Sequence, residues 1–159
     1  MAIIVEDGSG VLGANSYING AGLDAYGLAR GISFVGDKDV LLTLAALYIE
    51  QLPFIGDKKT KAQPIQWPRY NATIDRFNIL STEIPQQLID LQCEVAIAIG
   101  DGDDPLSTVG RAVKREKVDT IEVEYADNAA PFAYNRKIKA LEKKLTTISG
   151  GLSFRIDRG

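Results

Sequence analysis

The sequence predicts a mainly α-helical fold with a small β part: a bundle of about four helices, with a β-hairpin, a long loop and a C-terminal strand. The chain has 159 residues, of which 45% are hydrophobic and 25% charged, and this balance is typical of one compact globular domain. Four segments repeat apolar residues at the helical spacing, and two others show the turn or the alternation of strands. We therefore expect a single domain over residues 1–159.

Two helices are predicted in the first third of the chain. Helix one covers about residues 19–30 and ends at Gly31, because glycine readily takes the left-handed conformation that follows a helix. Helix two covers about residues 37–52, with Asp37 as its N-cap and Pro53 as its stop. Apolar residues surround most of helix two: Val40, Leu41, Leu44, Leu47, Tyr48, Ile49 and Leu52. We expect its own core or a neighbouring subunit to cover it on most sides.

Residues 53–83 show no helical period and are predicted to form a long loop, of a length that is usually functional or disordered. Basic and aromatic residues are concentrated in it: Lys58, Lys59, Lys61, Trp67, Arg69 and Tyr70. Residues 58–70 could form a stacking platform for single-stranded DNA, or Trp67 could anchor a basic arm into a core or a neighbour. The net charge of −3 favours the anchor. We expect this loop to become ordered only on assembly.

Helix three is predicted from Pro85 to about Ile99, since proline is favourable at a first helical position. Its polar stripe consists of Gln86, Gln87, Asp90 and Glu94. Gln92 falls within the apolar stripe, where an unpaired amide would cost about 1–3 kcal/mol, so we expect it to hydrogen-bond a specific partner. Cys93 is expected to be a small buried hydrophobe. Ile97 projects from the polar side, where a neighbouring chain would cover it.

A β-hairpin is predicted over residues 111–126 around a turn at residues 119–120. This register places Lys117 opposite Glu122, and Arg115 opposite Glu124, so that the charges of one face neutralise each other. The hairpin is therefore not expected to present a single sign of charge.

The end of the chain is predicted to contain a fourth helix and a strand. The helix covers about residues 135–148 and has a narrow apolar seam among many lysines. After two glycines, apolar and polar residues alternate over residues 152–157, which predicts a strand within a C-terminal extension of residues 150–159. A terminal strand of this kind can pair with a neighbouring chain.

The composition disfavours several classes of protein. The chain has no histidine and one cysteine, so the commonest general base and metal ligand are missing and no cysteine pair exists for a disulfide. The acidic net charge argues against a domain devoted to gripping nucleic acid. No segment resembles a signal peptide or approaches the roughly 20 apolar residues that span a bilayer. We expect no catalytic residue, cofactor, metal or membrane association.

The segment from Gly8 to Gly13 matches the glycine pattern of dinucleotide-binding loops and follows an apolar run. However, Glu6 and Asp7 would put two carboxylates beside a pyrophosphate, and no further βαβ unit is predicted. A glycine-rich turn is therefore the favoured interpretation.

Five blocks of sequence carry a resemblance to a known family. They are Ile-Ile-Val-Glu-Asp-Gly at residues 3–8 with Ala-Asn-Ser-Tyr at 14–17, Gln-Trp-Pro-Arg at 66–69, Ile-Pro at 84–85 leading to Gln-Cys-Glu at 92–94, and Val-Lys-Arg-Glu-Lys-Val at 113–118 before Ile-Glu-Val-Glu-Tyr at 121–125. Together they resemble the head-to-tail adaptor proteins of tailed bacteriophages, a group also labelled DnaT-like single-stranded-DNA-binding proteins.

The resemblance implies a structural subunit and no enzyme. Such a subunit assembles into a ring, commonly of twelve copies, between the phage portal protein and the tail proteins, and genomic double-stranded DNA passes through it without specific binding. The implied location is the neck of the virion, after synthesis in the bacterial cytoplasm. The predicted contact residues are Trp67, Pro68, Arg69, Ile97, Lys114, Arg115, Lys117, Phe154 and Ile156. The alternative is single-stranded-DNA binding through residues 58–70.

Overall fold

The computed structural model describes residues 2–34, 36–103, 116–118, 121–123 and 136–147. The described residues form four helices: α1 (Gly20–Leu28), α2 (Lys38–Ile49), α3 (Gln86–Gly100) and α4 (Arg136–Leu145). They also form six short strands: β1 (Asp57–Lys58), β2 (Arg69–Tyr70), β3 (Thr73–Ile74), β4 (Phe77–Asn78), β5 (Glu116–Val118) and β6 (Ile121–Val123). The strands pair in sequence order as three antiparallel two-stranded sheets. The predicted fold class, mainly α with a small β part, is confirmed.

The helix boundaries follow the capping residues of the sequence. The Asn19 side chain accepts a hydrogen bond from the backbone N–H of Gly22 at 2.9 Å and so caps α1. Asp37 caps α2 in the predicted way, accepting from the N–H of Asp39 at 2.9 Å. Each of these caps satisfies an N–H group that has no partner within its helix. Helix α2 ends at Ile49, about one turn before the predicted end.

Helix α3 is the centre of the fold. It packs against α2 and α4, and eight of its fifteen residues are buried. Glu94, which the sequence places on the polar stripe of this helix, is among the buried residues. The cause is tertiary: Tyr26 Oη donates to Glu94 Oε1 at 2.8 Å, and Lys137 Nζ lies 3.4 Å from the same oxygen. Side chains of the α1 and α4 helices therefore cover the carboxylate.

Residues 53–83 are not a loop without regular structure, so that prediction is wrong. They contain β1–β4 and contribute five apolar side chains to the core: Phe54, Ile65, Trp67, Ala72 and Ile74. Strands of two residues are too short to show alternation, because the period of a strand is itself two residues. The segment belongs to the folded body, which contradicts the expectation that it becomes ordered only on assembly.

The chain's own core covers one side of helix α2, and covering of the other side by a neighbouring subunit stays a prediction. The helix buries Leu41, Leu42, Ala45, Ala46 and Ile49, but Val40 and Leu47 are exposed on the opposite side. In the isolated chain, part of its apolar surface therefore faces solvent.

The hairpin register is as predicted where the structure describes it. Lys117 pairs with Glu122 and Val118 pairs with Ile121 in the β5–β6 sheet. The outer parts of the predicted hairpin, residues 111–115 and 124–126, lie outside the described residues, as does the predicted strand in the extension 150–159.

Candidate functional site

The glycine-rich turn near the N-terminus encloses a carboxylate. Glu6 is buried, and its Oε1 accepts from the backbone N–H groups of Gly8 at 2.9 Å and Gly10 at 2.8 Å. Its Oε2 accepts from the N–H of Val11 at 2.8 Å. Converging backbone N–H groups form an anion-binding nest, and here the chain supplies the anion itself. A pyrophosphate would have to displace this carboxylate, so the segment is a structural turn.

Gly8 holds this turn against a second segment. Its φ of +99° is a conformation that side chains rarely adopt, and a Cβ at this position would overlap the carbonyl of Thr82. Glycine is therefore required by both the backbone angle and the close approach.

The Gln-Trp-Pro-Arg block lies inside the molecule. Trp67 is 1% exposed and meets Phe54 edge-on, with ring centroids 6.1 Å apart. Pro68 is also buried, after a cis peptide bond. Arg69 is 7% exposed, and its guanidinium donates to the carbonyls of Ile55, at 2.9 Å, and Gly56. The tryptophan is therefore an anchor in this chain's own core, which is one of the two predicted alternatives.

A polar network ties this block to α2 and to the N-terminal segment. Glu50 Oε1 accepts from Tyr17 Oη at 3.0 Å and from the backbone N–H of Gln66 at 2.9 Å. The Tyr17 hydroxyl accepts in turn from the N–H of Trp67 at 3.2 Å. Burial raises the pKa of Glu50, and burial together with the nearby Glu50 charge raises that of Tyr17. These polar groups satisfy one another and hold the 53–83 segment in place.

Gln92 has the specific partners that the sequence predicted. Its Oε1 accepts from the N–H of Tyr17 at 2.9 Å, and its Nε2 donates to Ser16 Oγ at 2.8 Å and to the carbonyl of Leu42 at 2.9 Å. Cys93 is buried next to it, and burial raises the pKa of its thiol to about 12. Gln92 and Cys93 therefore stabilise the core of the fold.

The exposed aromatic side chains lie outside the buried block. Tyr70 on β2 is 48% exposed, and Phe77 on β4 is 74% exposed. Phe77 follows the two-residue turn of the β3–β4 hairpin, where Asp75 and Arg76 both have positive φ, 50° and 74°. Sequence reasoning missed Phe77 and Arg76. The only sequence feature that could have indicated this hairpin turn is the Asp-Arg pair, and it lacks the glycine that usually marks such a turn.

Two open grooves lie beside α2. The larger, of about 390 Å³, is bounded by α1, the connection after it and the start of α2, with Leu28, Ile32, Phe34, Asp24 and Lys38 in its walls. The smaller, of about 120 Å³, is lined by Asp39, Val40, Thr43 and Leu44. Leu28 is 82% exposed at the edge of the larger groove. Apolar side chains therefore face solvent on both sides of the α2 N-terminus.

Comparison with known proteins shows the family of this chain. A family model described as "Putative DnaT-like ssDNA binding protein" matches residues 1–159. The chain belongs to this DnaT-like family. No curated protein and no solved structure matches it. The family description names no role in a virion, so the adaptor part of the resemblance stays a prediction.

Of the remaining predicted contact residues of this DnaT-like chain, the structure describes two. Ile97 is partly buried on α3, and Lys117 lies on β5. Lys114, Arg115, Phe154 and Ile156 lie outside the described residues. Within the described ranges, no acidic or cysteine cluster could hold a metal ion. Nor does any described helix have the length and apolar character needed to cross a membrane.

Proposed function

We propose that this chain is a structural subunit of the ring that joins the portal to the tail in tailed bacteriophages. The observation that carries the proposal is the uncovered apolar face of α2. Val40 and Leu47 lie two helical turns apart, with Leu44 between them, and this spacing puts all three on one face. Val40 and Leu47 are 49% and 51% exposed.

A helix at the surface of a single domain normally turns its apolar side inward and its polar side to water. Helix α2 buries an apolar side and presents a second one. Adjoining exposed apolar side chains of this kind mark protein contacts. The helix is capped by Asp37 and packed on α3, so this face exists before a partner arrives.

The proposed partners are further copies of the chain, the portal protein and the tail proteins. The net charge of −3 is consistent with a ring that genomic DNA passes, because phosphate contacts that release counterions would retain the DNA. The burial of Trp67 and Arg69 is consistent with the same role. The Gln-Trp-Pro-Arg block at residues 66–69 then stabilises the fold, and the outer surfaces remain free for assembly.

The test is a phage that carries Val40→Lys and Leu47→Lys. We expect filled heads without tails to accumulate, because two desolvated lysines would disrupt an apolar contact. Leu12→Lys, at an apolar residue that is 88% exposed on the N-terminal turn, is the matched control and should leave tail attachment normal. Urea unfolding should show each variant within about 0.5 kcal/mol of the unaltered protein. If particles that lack the chain attach tails normally, the proposal is wrong.

A second candidate function is single-stranded-DNA binding, which the family description favours. The platform predicted at residues 58–70 would have to work without Trp67 and Arg69, which are buried. Exposed side chains that could replace them are Lys58, Lys61, Tyr70, Arg76 and Phe77. Bases stack on aromatic rings at about 1–3 kcal/mol per base, and lysines and arginines contact the backbone.

Fluorescence anisotropy with a labelled oligonucleotide tests this candidate. Binding should fall steeply as salt is raised, and Tyr70→Ala with Phe77→Ala should weaken it at least about tenfold. Leu80→Ala, which removes an exposed apolar residue with no aromatic ring, is the control. Salt-independent or undetectable binding would eliminate this candidate and leave the structural subunit.

A further inference from the structure

The tip of the β3–β4 hairpin has a backbone that its sequence does not favour. Two central residues with positive φ define the turn, and Asn-Gly is the preferred pair there because glycine adopts this conformation without a steric penalty. Here the pair is Asp75 and Arg76. A side chain in the left-handed conformation costs about 1–2 kcal/mol. Backbone conformations that carry a steric cost of this kind are often found at functional sites. The presence of Arg76 where glycine would fit best therefore indicates a role for the arginine side chain.

The tip combines a cation with an exposed ring. Arg76 is exposed, Phe77 beside it is 74% exposed, and Leu80 three residues later is 66% exposed. Asp75 is paired with Lys144 of α4 at 2.8 Å, and this ion pair attaches the tip to the body. The tip is therefore a small, positioned projection with an apolar and a positively charged side chain.

The larger groove beside α2 has the complementary character. Its apolar wall contains Leu28, Ile32 and Phe34, and its volume of about 390 Å³ is in the range that accepts a small ligand or a few side chains. Phe34 packs so closely on Gly27 that a Cβ there would overlap its ring, which fixes this wall.

The charged residues in the groove wall are one acid, Asp24, and one lysine, Lys38. Asp37 and Asp39 lie at the adjoining α2 N-terminus. Lys38 is paired with Asp24 at 2.6 Å, yet the Asp24 side chain remains 51% exposed. Arg30, just past α1, lies over the Tyr26 ring at 3.4 Å. A guanidinium arriving at the groove would therefore meet the exposed part of the Asp24 carboxylate.

The tip and the groove are built by different elements: the tip by β3 and β4, and the groove by α1, the connection after it and the start of α2. Lys137 near the start of α4 contacts Glu94, to which Tyr26 of α1 also donates. Lys144 near the end of α4 contacts Asp75 at the tip. The two lysines are seven positions apart in α4, which is a rise of about 10 Å. Because the two surfaces differ, a contact between the tip of one chain and the groove of another is heterologous, and repeating it produces a ring or a filament.

We propose that the β3–β4 tip of one chain, through Phe77 and Arg76, docks into the groove of a second copy lined by Leu28, Phe34 and Asp24. Phe77 fills the apolar part of the groove and Arg76 lies against Asp24. This inference rests on the proposed function, to which it adds the contact between copies.

Disulfide trapping tests the contact. When the concentrated protein with both Phe77→Cys and Leu28→Cys is oxidised, it should give a ladder of disulfide-linked oligomers on a non-reducing gel. A reductant should convert these oligomers back to monomers. Native Cys93 is buried and should not react. Either variant alone has one accessible cysteine and should stop at dimers. The matched control is Phe77→Cys with Leu12→Cys, because Leu12 is 88% exposed but lies on the N-terminal turn.

A ladder at least tenfold stronger than that of the control supports the proposal, and equal or absent ladders overturn it. The proposal is also overturned if Phe77→Ala abolishes oligonucleotide binding and the cysteine pair gives no ladder. The tip would then be a DNA-binding surface. The particle experiment with Val40→Lys and Leu47→Lys is independent of this contact. If the phage with the two lysines loses its tails but the cysteine pair gives no ladder, the docking inference is rejected and the proposed function remains supported.

Discussion

At the scale of single residues, the polar groups of this core have structural roles. Glu6 fills the nest of the glycine-rich turn, and Gln92 joins α3 to the N-terminal segment and α2. The two side chains are buried with their hydrogen-bonding atoms satisfied by named partners. The sequence could predict that Gln92 needs a partner because it interrupts an apolar stripe. It could not predict the role of Glu6, since the fold of the turn determines which N–H groups converge.

Glu50 is the residue whose removal should most clearly loosen the polar network. In Glu50→Ala, Tyr17 Oη and the N–H of Gln66 both lose their acceptor, so we expect the free energy of unfolding to fall by about 1–3 kcal/mol. In Glu50→Gln, the amide oxygen can still accept both hydrogen bonds, so the loss should stay within about 1 kcal/mol. Urea unfolding measures both. An equal loss in the two variants would contradict the network.

The pH dependence of stability should differ between the Glu50→Gln variant and the unaltered protein. Burial raises the pKa of Glu50 above its ordinary 4.5, so the folded state holds this proton more tightly than the unfolded state. The stability from this group is therefore complete below about pH 4.5 and is lost as the pH rises through the folded pKa. The free energy of the unaltered protein minus that of Glu50→Gln should decrease from about pH 4 to about pH 7. An increase over that range would contradict the burial argument.

At the scale of elements, the sequence predicts what local rules determine. Caps at Asn19 and Asp37 and the apolar periods of α2 and α3 gave the helices to within about one turn. The 53–83 segment has no local period, and its structure comes from Trp67 and its neighbours entering a core made by distant helices. Burial of Glu94 has the same origin, because α1 and α4 cover it only after the chain has folded.

The anchoring of the 53–83 segment by Trp67 leads to a prediction about proteolysis. In the free protein, trypsin should cut slowly after Lys58 and Lys59, because cleavage requires the packed segment to open. Trp67→Ala should cost about 3–5 kcal/mol of stability and make these sites the first to be cut. Tyr70→Ala, at a half-exposed ring on β2, is the control and should leave the cleavage rate nearly unchanged. Rapid cutting of the unaltered protein would contradict the anchor.

At the scale of the whole molecule, the surfaces that matter for assembly arise only from the folded arrangement. The apolar excess of α2 was visible in the sequence, but which side stays uncovered depends on where α1 and α3 pack. Phe77 lies between Arg76 and Asn78 in the sequence, and a hairpin turn without glycine leaves its ring exposed at the surface. The groove residues lie between positions 24 and 38 and the tip residues between 75 and 77, so no local sequence motif contains both.

Charge reversal tests whether the tip and the groove meet between copies. Arg76→Glu should weaken the disulfide ladder of the Phe77→Cys and Leu28→Cys protein at least about tenfold, because a carboxylate would then face the Asp24 carboxylate. Adding Asp24→Arg should restore much of the ladder, since the two charges are then opposite again. Arg76→Glu combined with Asp103→Arg, a reversal just after α3, has the same total charge and should restore nothing. Equal rescue by both reversals would mean that net charge controls self-association and that Arg76 does not contact Asp24.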